Sequence, residues 1–352
     1  MKKALLALSL CLCLAFLPAC SVFNVDTDDA SSTEESMSSL NTTAEPAIDT
    51  SAATSQPTQI TTQETGTAPV TTTTRPTTTL PPKEYPTWQN KEAVTGANTG
   101  TGATFTGFEP LPPINFEVYD PENTRGLDTT SKGYGFGLGK NGAPPELSLN
   151  NQKYFNRFNA LAIDTKTKAK VLYLTFDCGY ENGYTGKILD TLKAKQVPAA
   201  FFCTLPYIKQ QTNLTTRMIK EGHIVGNHSD THPVFPKISR AEMAGEVQRY
   251  DNYLRSNYGY TAPYFRFPEG AYSESALDLV QSMGFKSVFW SVAYADWDTN
   301  NQKGAQYTFD TVTGRLHPGA VILLHAVSSD NTAALGDIID WARAQGYEFR
   351  PL

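Results

Sequence analysis

Leu174-Thr-Phe-Asp-Cys-Gly-Tyr-Glu-Asn-Gly-Tyr-Thr185 joins an apolar run, 171–176, to a polar turn that opens on Asp177 and Cys178. The same junction recurs four times further along the chain. Residues 223–227 lead into His228-Ser-Asp-Thr-His232-Pro233, and 264–265 lead into Arg266-Phe-Pro-Glu-Gly270. Residues 287–290 precede the loop carrying Asp296-Trp297, and 320–324 end on His325. Helix-like stretches near 186–195, 212–221, 240–258, 275–283 and 335–345 separate the apolar runs, and further strand-like runs lie at 199–203 and 347–349. Strand and helix alternating in this way imply a parallel sheet with crossover helices. In a closed β/α barrel the strand ends share one face. Three imidazoles, two carboxylates and a guanidinium would then meet around one pocket, which is the equipment of a hydrolase.

These five pieces, in this order, resemble the five motifs of the NodB-homology polysaccharide deacetylases, carbohydrate esterase family 4. The resemblance runs from about Val171 to the C-terminus. Within it, 174–185 and Phe289-Trp-Ser-Val-Ala-Tyr-Ala-Asp-Trp-Asp-Thr-Asn-Asn-Gln-Lys-Gly304 are similar to the delta-lactam-biosynthetic peptidoglycan de-N-acetylases. About seven strands in some 180 residues is short for an eight-stranded barrel of roughly 250 residues. The family fold, a distorted (β/α)7 barrel, accounts for the difference. The reaction implied is removal of acetyl from an N-acetylated amino sugar of the cell wall, by resemblance N-acetylmuramic acid. The freed amine would later close on the lactyl carboxyl in spore cortex. Deacetylation of N-acetylglucosamine, in peptidoglycan or chitin-like chains, is the alternative activity. A wall-binding lipoprotein without catalysis is the alternative of another class.

Each residue carries a chemical expectation. Asp177 is the candidate general base, since amide cleavage needs a water stripped of a proton; a lone strand-end Asp would otherwise read as a turn cap. Arg266 pairs with Asp177 and keeps it ionised. By family analogy Pro268 shapes its loop and the Glu269 N–H faces the developing oxyanion. His325 is the candidate general acid, with Asp296 orienting its ring. Trp297 offers a face to a sugar ring, or is a buried structural Trp.

His228 and His232, four apart, would share a face if their segment formed a helical turn, and could hold one divalent cation. Most family members place a second Asp where this chain has Cys178, and the lactam-pathway members place Asn there. A Cys178 thiolate would favour zinc; the reading adopted here is a small filler side chain, which leaves metal dependence open. His223 and His317 lie outside the motifs and read as structural.

The chain has 352 residues. Residues 1–20 read as an export signal: Lys2-Lys3, an apolar run, then Leu17-Pro18-Ala19-Cys20, with Cys20 the expected lipidation site. Residues 21–83 are rich in Ser, Thr and Pro and read as a disordered tether. Residues 84–150 form an irregular lead-in wrapping the barrel, and 151–352 the catalytic domain. Ser131-Lys-Gly-Tyr-Gly-Phe-Gly-Leu-Gly139 lacks the strand–loop–helix context of a phosphate loop. Of five Cys, Cys11, Cys13 and Cys20 fall in the export segment, so no disulfide framework is expected. A net charge of −6 with no basic stripe argues against nucleic acid as a partner. The expected protein is a monomer outside the cytoplasm, anchored to the membrane by lipid and facing peptidoglycan strands.

Overall fold

The structure, a computed structural model, describes residues 102–352. The export signal, Cys20, the tether and the first part of the lead-in lie outside the described residues. Eight strands make one curled parallel sheet: β1 (Ala160–Leu161), β2 (Val171–Cys178), β3 (Ala199–Cys203), β4 (Ile224–Asn227), β5 (Tyr264–Phe265), β6 (Lys286–Val288), β7 (Ala320–His325) and β8 (Glu348–Phe349). In space the order is β7-β2-β3-β4-β5-β6-β1, with β8 also beside β2. The open edges of the sheet meet. Ser291 N–H donates to Val321 O at 2.8 Å and Leu323 N–H to Val292 O at 2.8 Å, so the chain beyond β6 runs alongside β7. The result is a distorted (β/α)7 barrel.

Seven helices follow or cross between these strands: α2 (Thr185–Lys195), α3 (Leu205–Gln210), α4 (Thr212–Lys220), α5 (Arg240–Tyr258), α6 (Glu274–Ser282), α7 (Ala305–Thr313) and α8 (Ser329–Ala344). Before them, α1 (Glu146–Phe155) packs Phe155 on Phe289 with ring centroids 4.4 Å apart. Helix α5 begins on a reciprocal capping box between Ser239 and Glu242 and stops at Gly259, which takes φ 54°.

Four helices depart from the sequence reading, the first being α1, which begins inside the stretch read as irregular. Helix α3 is one Pro-containing turn and a half, too short to show a period. Helix α7 is written in Thr, Tyr, Phe and Val, weak helix formers. Helix α8 starts at Ser329 rather than near 335, because its first turn is polar: Ser328 caps it by accepting from Asn331 N–H.

The lead-in from Thr104 wraps the barrel along α5. Its backbone is taken by side chains of that helix in reverse order. Ile114 N–H donates to Asn252 Oδ1 at 2.8 Å, and Asn252 Nδ2 returns a bond to Ile114 O at 3.0 Å. Phe116 N–H donates to Gln248 Oε1 at 3.1 Å, and Arg240 donates to Tyr119 O at 2.8 Å. The glycine-rich 131–139 stretch supplies Lys132–Gly133, an antiparallel partner of Ala271–Tyr272 just after the Arg266 loop. It is a clasp on the barrel rim, not a phosphate loop.

Candidate active site

Strand alternation decides which side chains face the barrel axis. On β2, Thr175 and Asp177 point inward, where Arg266 holds both. Its guanidinium donates to Asp177 Oδ1 at 2.6 Å and to Thr175 Oγ1 at 2.9 Å. Arg266 is fully buried; its Nε donates to Val288 O at 2.9 Å, and its guanidinium carbon lies 4.1 Å from the centre of the Phe202 ring. Gly226 makes that packing possible, since a Cβ there would sit 2.7 Å from Phe202 ring carbons. Burial alone would push the Asp177 carboxyl up, but the positive charge of Arg266, with His228 and His325, outweighs it and leaves the group below its ordinary range.

His325 ends β7 as the Cα partner of Asp177 on β2. Its Nδ1 donates to Asp296 Oδ1 and its backbone N–H to Asp296 Oδ2, both at 2.7 Å. Burial disfavours the imidazolium, yet the Asp296 carboxylate more than compensates and raises the His325 pKa. With Nδ1 engaged, Nε2 is the ring nitrogen left to face the pocket. Trp297 is 53% exposed with its ring centroid 5.7 Å from that of His325, so it is a rim aromatic rather than a buried structural one.

His228 and His232 meet, though not on a helical turn. The segment is a loop in which Ser229 (φ 71°) and His232 (φ 60°) are left-handed, and the rings pack edge to face at 4.9 Å. Glu246 on α5 pins this loop by accepting from Thr231 N–H at 2.7 Å. His228 Nδ1 donates to Arg266 O at 2.9 Å, which leaves Nε2 as a lone-pair donor, 3.6 Å from Asp177 Oδ2. Burial lowers the His228 pKa to about 4, so the ring is neutral at neutral pH. The two imidazoles suit a divalent cation, and a cation there would supply positive charge to polarise an acyl oxygen and acidify a water.

Cys178 does not join them, which corrects its inclusion among the metal candidates. It follows Asp177 on β2 and so points to the opposite face, in register with Cys203 on β3. Both cysteines are free and fully buried. Burial, then its contact with Cys203, push the Cys178 thiol well up, whereas ligation needs a thiolate. Among the described residues no group of three or more His, Cys, Asp or Glu is placed to hold a metal.

In the Arg266 loop, Pro268 is buried and Glu269 is exposed at φ 56°. The turn is fixed from outside: Tyr134 N–H donates to Gly270 O at 2.9 Å, and Tyr134 OH donates to Trp290 O at 2.8 Å. His223 lies outside the site. Its Nδ1 accepts from Ala199 N–H at 3.3 Å, and burial lowers its pKa to about 3. Asn331 was missed by the sequence reading: its Nδ2 donates to Asp296 Oδ2 at 2.5 Å. An Asn in the polar first turn of a helix carries no motif signal.

The family described as polysaccharide deacetylase matches residues 164–288. Peptidoglycan-N-acetylmuramic acid deacetylase PdaA of Bacillus subtilis (strain 168) is 41% identical over 223 residues, covering 62% of this chain and 83% of that protein. The solved structure of Bacillus subtilis PdaA, a family 4 carbohydrate esterase, aligns with TM-score 0.60 and 40% identity over 63% of this chain and 95% of its own. A family 4 carbohydrate esterase from Bacillus anthracis aligns with TM-score 0.53 and 39% identity over 64% and 95%. With this barrel, these strand-end groups and that coverage, the chain belongs to the NodB-homology polysaccharide deacetylases of carbohydrate esterase family 4.

Proposed function

We propose that the protein hydrolyses the N-acetyl group of peptidoglycan amino sugars, with N-acetylmuramic acid as the target. One observation carries the reading. A carboxylate paired with Arg266 and an imidazole whose pKa Asp296 raises stand side by side at the ends of neighbouring strands. A non-catalytic wall binder has no use for such a proton-transfer pair. The muramic preference is supported by the 41% identity to a protein named as an N-acetylmuramic acid deacetylase.

Asp177 takes a proton from water, and the oxygen attacks the acetyl carbonyl carbon. The carbonyl π pair moves onto oxygen, beside the Glu269 backbone. His325 Nε2 then gives its proton to the amide nitrogen as the carbon–nitrogen bond breaks. The products are acetate and a free amine on the sugar. His228 and His232 hold the cation when one is bound, and Trp297 presents its face to the sugar. In the lactam-pathway reading, that amine closes on the lactyl carboxyl during sporulation. Export, lipidation at Cys20 and a tether over 21–83 would place this chemistry outside the cytoplasmic membrane, within reach of the wall.

The test is mass analysis of muropeptides after the protein acts on purified peptidoglycan. Loss of one acetyl assigned to muramic residues is expected. Loss from glucosamine residues would replace the substrate assignment, and no loss at all would leave the wall binder.

A further inference from the structure

Behind the Asp296–His325 pair lies a chain of side chains that proton transfer itself does not use. Asn331 sits in the first turn of α8, 1% exposed. Its Nδ2 donates both to Asp296 Oδ2 at 2.5 Å and to His325 O at 3.1 Å. Its Oδ1 accepts from Tyr294 OH at 2.7 Å, and that hydroxyl also meets Thr308 Oγ1 at 2.6 Å. Only one amide orientation satisfies these contacts, because two acceptors lie on one side and a hydroxyl on the other. A flipped amide would press Oδ1 against a carboxylate and a carbonyl.

The loop bearing Asp296 is tied to the same helix end by Gln302. Its Nε2 donates to Asp296 O at 3.2 Å, and its Oε1 accepts from the α8 cap Ser328 Oγ at 2.6 Å. Gly304 N–H adds a bond to Asp330 Oδ2 at 2.6 Å. The long Asp296–Gly304 string is thereby accounted for: most of it docks a loop on a helix terminus.

We propose that Asn331, with its amide orientation set by Tyr294, is a positioning residue that holds Asp296 in the plane of the His325 ring. The inference rests on the deacetylase reading, in which His325 carries the proton for the leaving amine. A carboxylate gripped at Oδ2 from two sides cannot rotate, so Oδ1 stays on Nδ1. Without the amide, only the His325 backbone N–H restrains Oδ2, and the carboxylate can swing away from the ring. The other charged groups facing His325 are Asp177 and Arg266.

The experiment compares wild type, Asn331→Leu and Tyr294→Phe, following the His325 ring through pH by NMR in the free enzyme alongside steady-state kinetics. We expect kcat to fall about tenfold to a hundredfold in Asn331→Leu, with KM near wild type and the His325 titration moved to lower pH. Tyr294→Phe should move both in the same direction by less. An unmoved His325 titration in a folded Asn331→Leu, or equal losses in kcat and thermal stability with no change at the ring, overturns the proposal. If Asn331→Leu does not fold, Tyr294→Phe decides alone: a shifted titration supports the proposal, and an unshifted one rejects it. The ring titration needs no turnover, so a wild type that removed no acetyl would reject the deacetylase reading separately.

Discussion

Asp177 and His325 are Cα partners on neighbouring parallel strands, one at the end of β2 and the other at the end of β7. Strand β2 is the second of the barrel strands in the chain and β7 the seventh, so the proposed proton acceptor and donor become neighbours through a ladder between strands far apart in sequence. Each is tuned by its own partner, Arg266 for the carboxylate and Asp296 for the imidazole.

Asp177→Asn and His325→Ala should each lower kcat by roughly 10²- to 10⁴-fold, the usual worth of a proton-transfer group. Circular dichroism and thermal melts should show a folded domain in both. Near-native turnover in either would remove that residue from its assigned step.

The pH profile follows from the opposed shifts. Asp177 is depressed and His325 raised, so kcat/KM should be flat between them, falling on the acid side as Asp177 gains a proton and on the alkaline side as His325 loses one. Asp296→Asn removes the charge that lifts His325, so its alkaline limb should move to lower pH. The sign for stability is the same. The His325–Asp296 pair contributes fully below the unfolded-state histidine pKa, and the contribution is lost as pH rises through the raised folded value. An alkaline limb that stays in place in Asp296→Asn would assign it to another group.

Zinc titration distinguishes the two faces of β2. Because the Cys178 side chain points away from the pocket, Cys178→Ala should leave affinity within about twofold of wild type. It should cost about 1 kcal/mol of stability. His228→Ala should weaken binding by about tenfold or more. A collapse of affinity in Cys178→Ala would place the thiol on the metal.

The lead-in should behave as part of the catalytic domain. Asn252→Ala removes both hydrogen bonds to Ile114 and should cost about 1–2 kcal/mol in denaturant unfolding, with KM and kcat little changed. No loss of stability would show that the wrap is held by other contacts.

The sequence was most legible where one residue pattern served both strand and site. Apolar runs ending on Asp177, His228, Arg266 and His325 marked strand termini and chemistry together. Helix α5 was readable to its last residue because the Ser239 capping box and Gly259 bracket it. Side-chain direction was not readable from the motif. Adjacent Asp177 and Cys178 look equivalent in a string, yet the two-residue period of a strand sends them to opposite faces. Asn331 and Tyr294 were invisible for another reason, since their roles depend on a helix terminus meeting a loop, and no local period reports such a meeting. Trp297 became legible only through its exposure.

The ladder between β2 and β7 also bears on the order of events in folding. The proposed base and acid come from strands far apart in the chain, and pairing of that kind is expected late in folding because a long loop must first be closed. A chain still missing its last tenth has the proposed base, the guanidinium and both imidazoles of the 228–232 loop, but no His325 and no α8 to orient Asp296. Such an intermediate can neither expel the amine nor complete the ring. On the proposed mechanism catalytic competence waits for β7 to dock, and the first turnover of a newly made molecule would report that its barrel has closed.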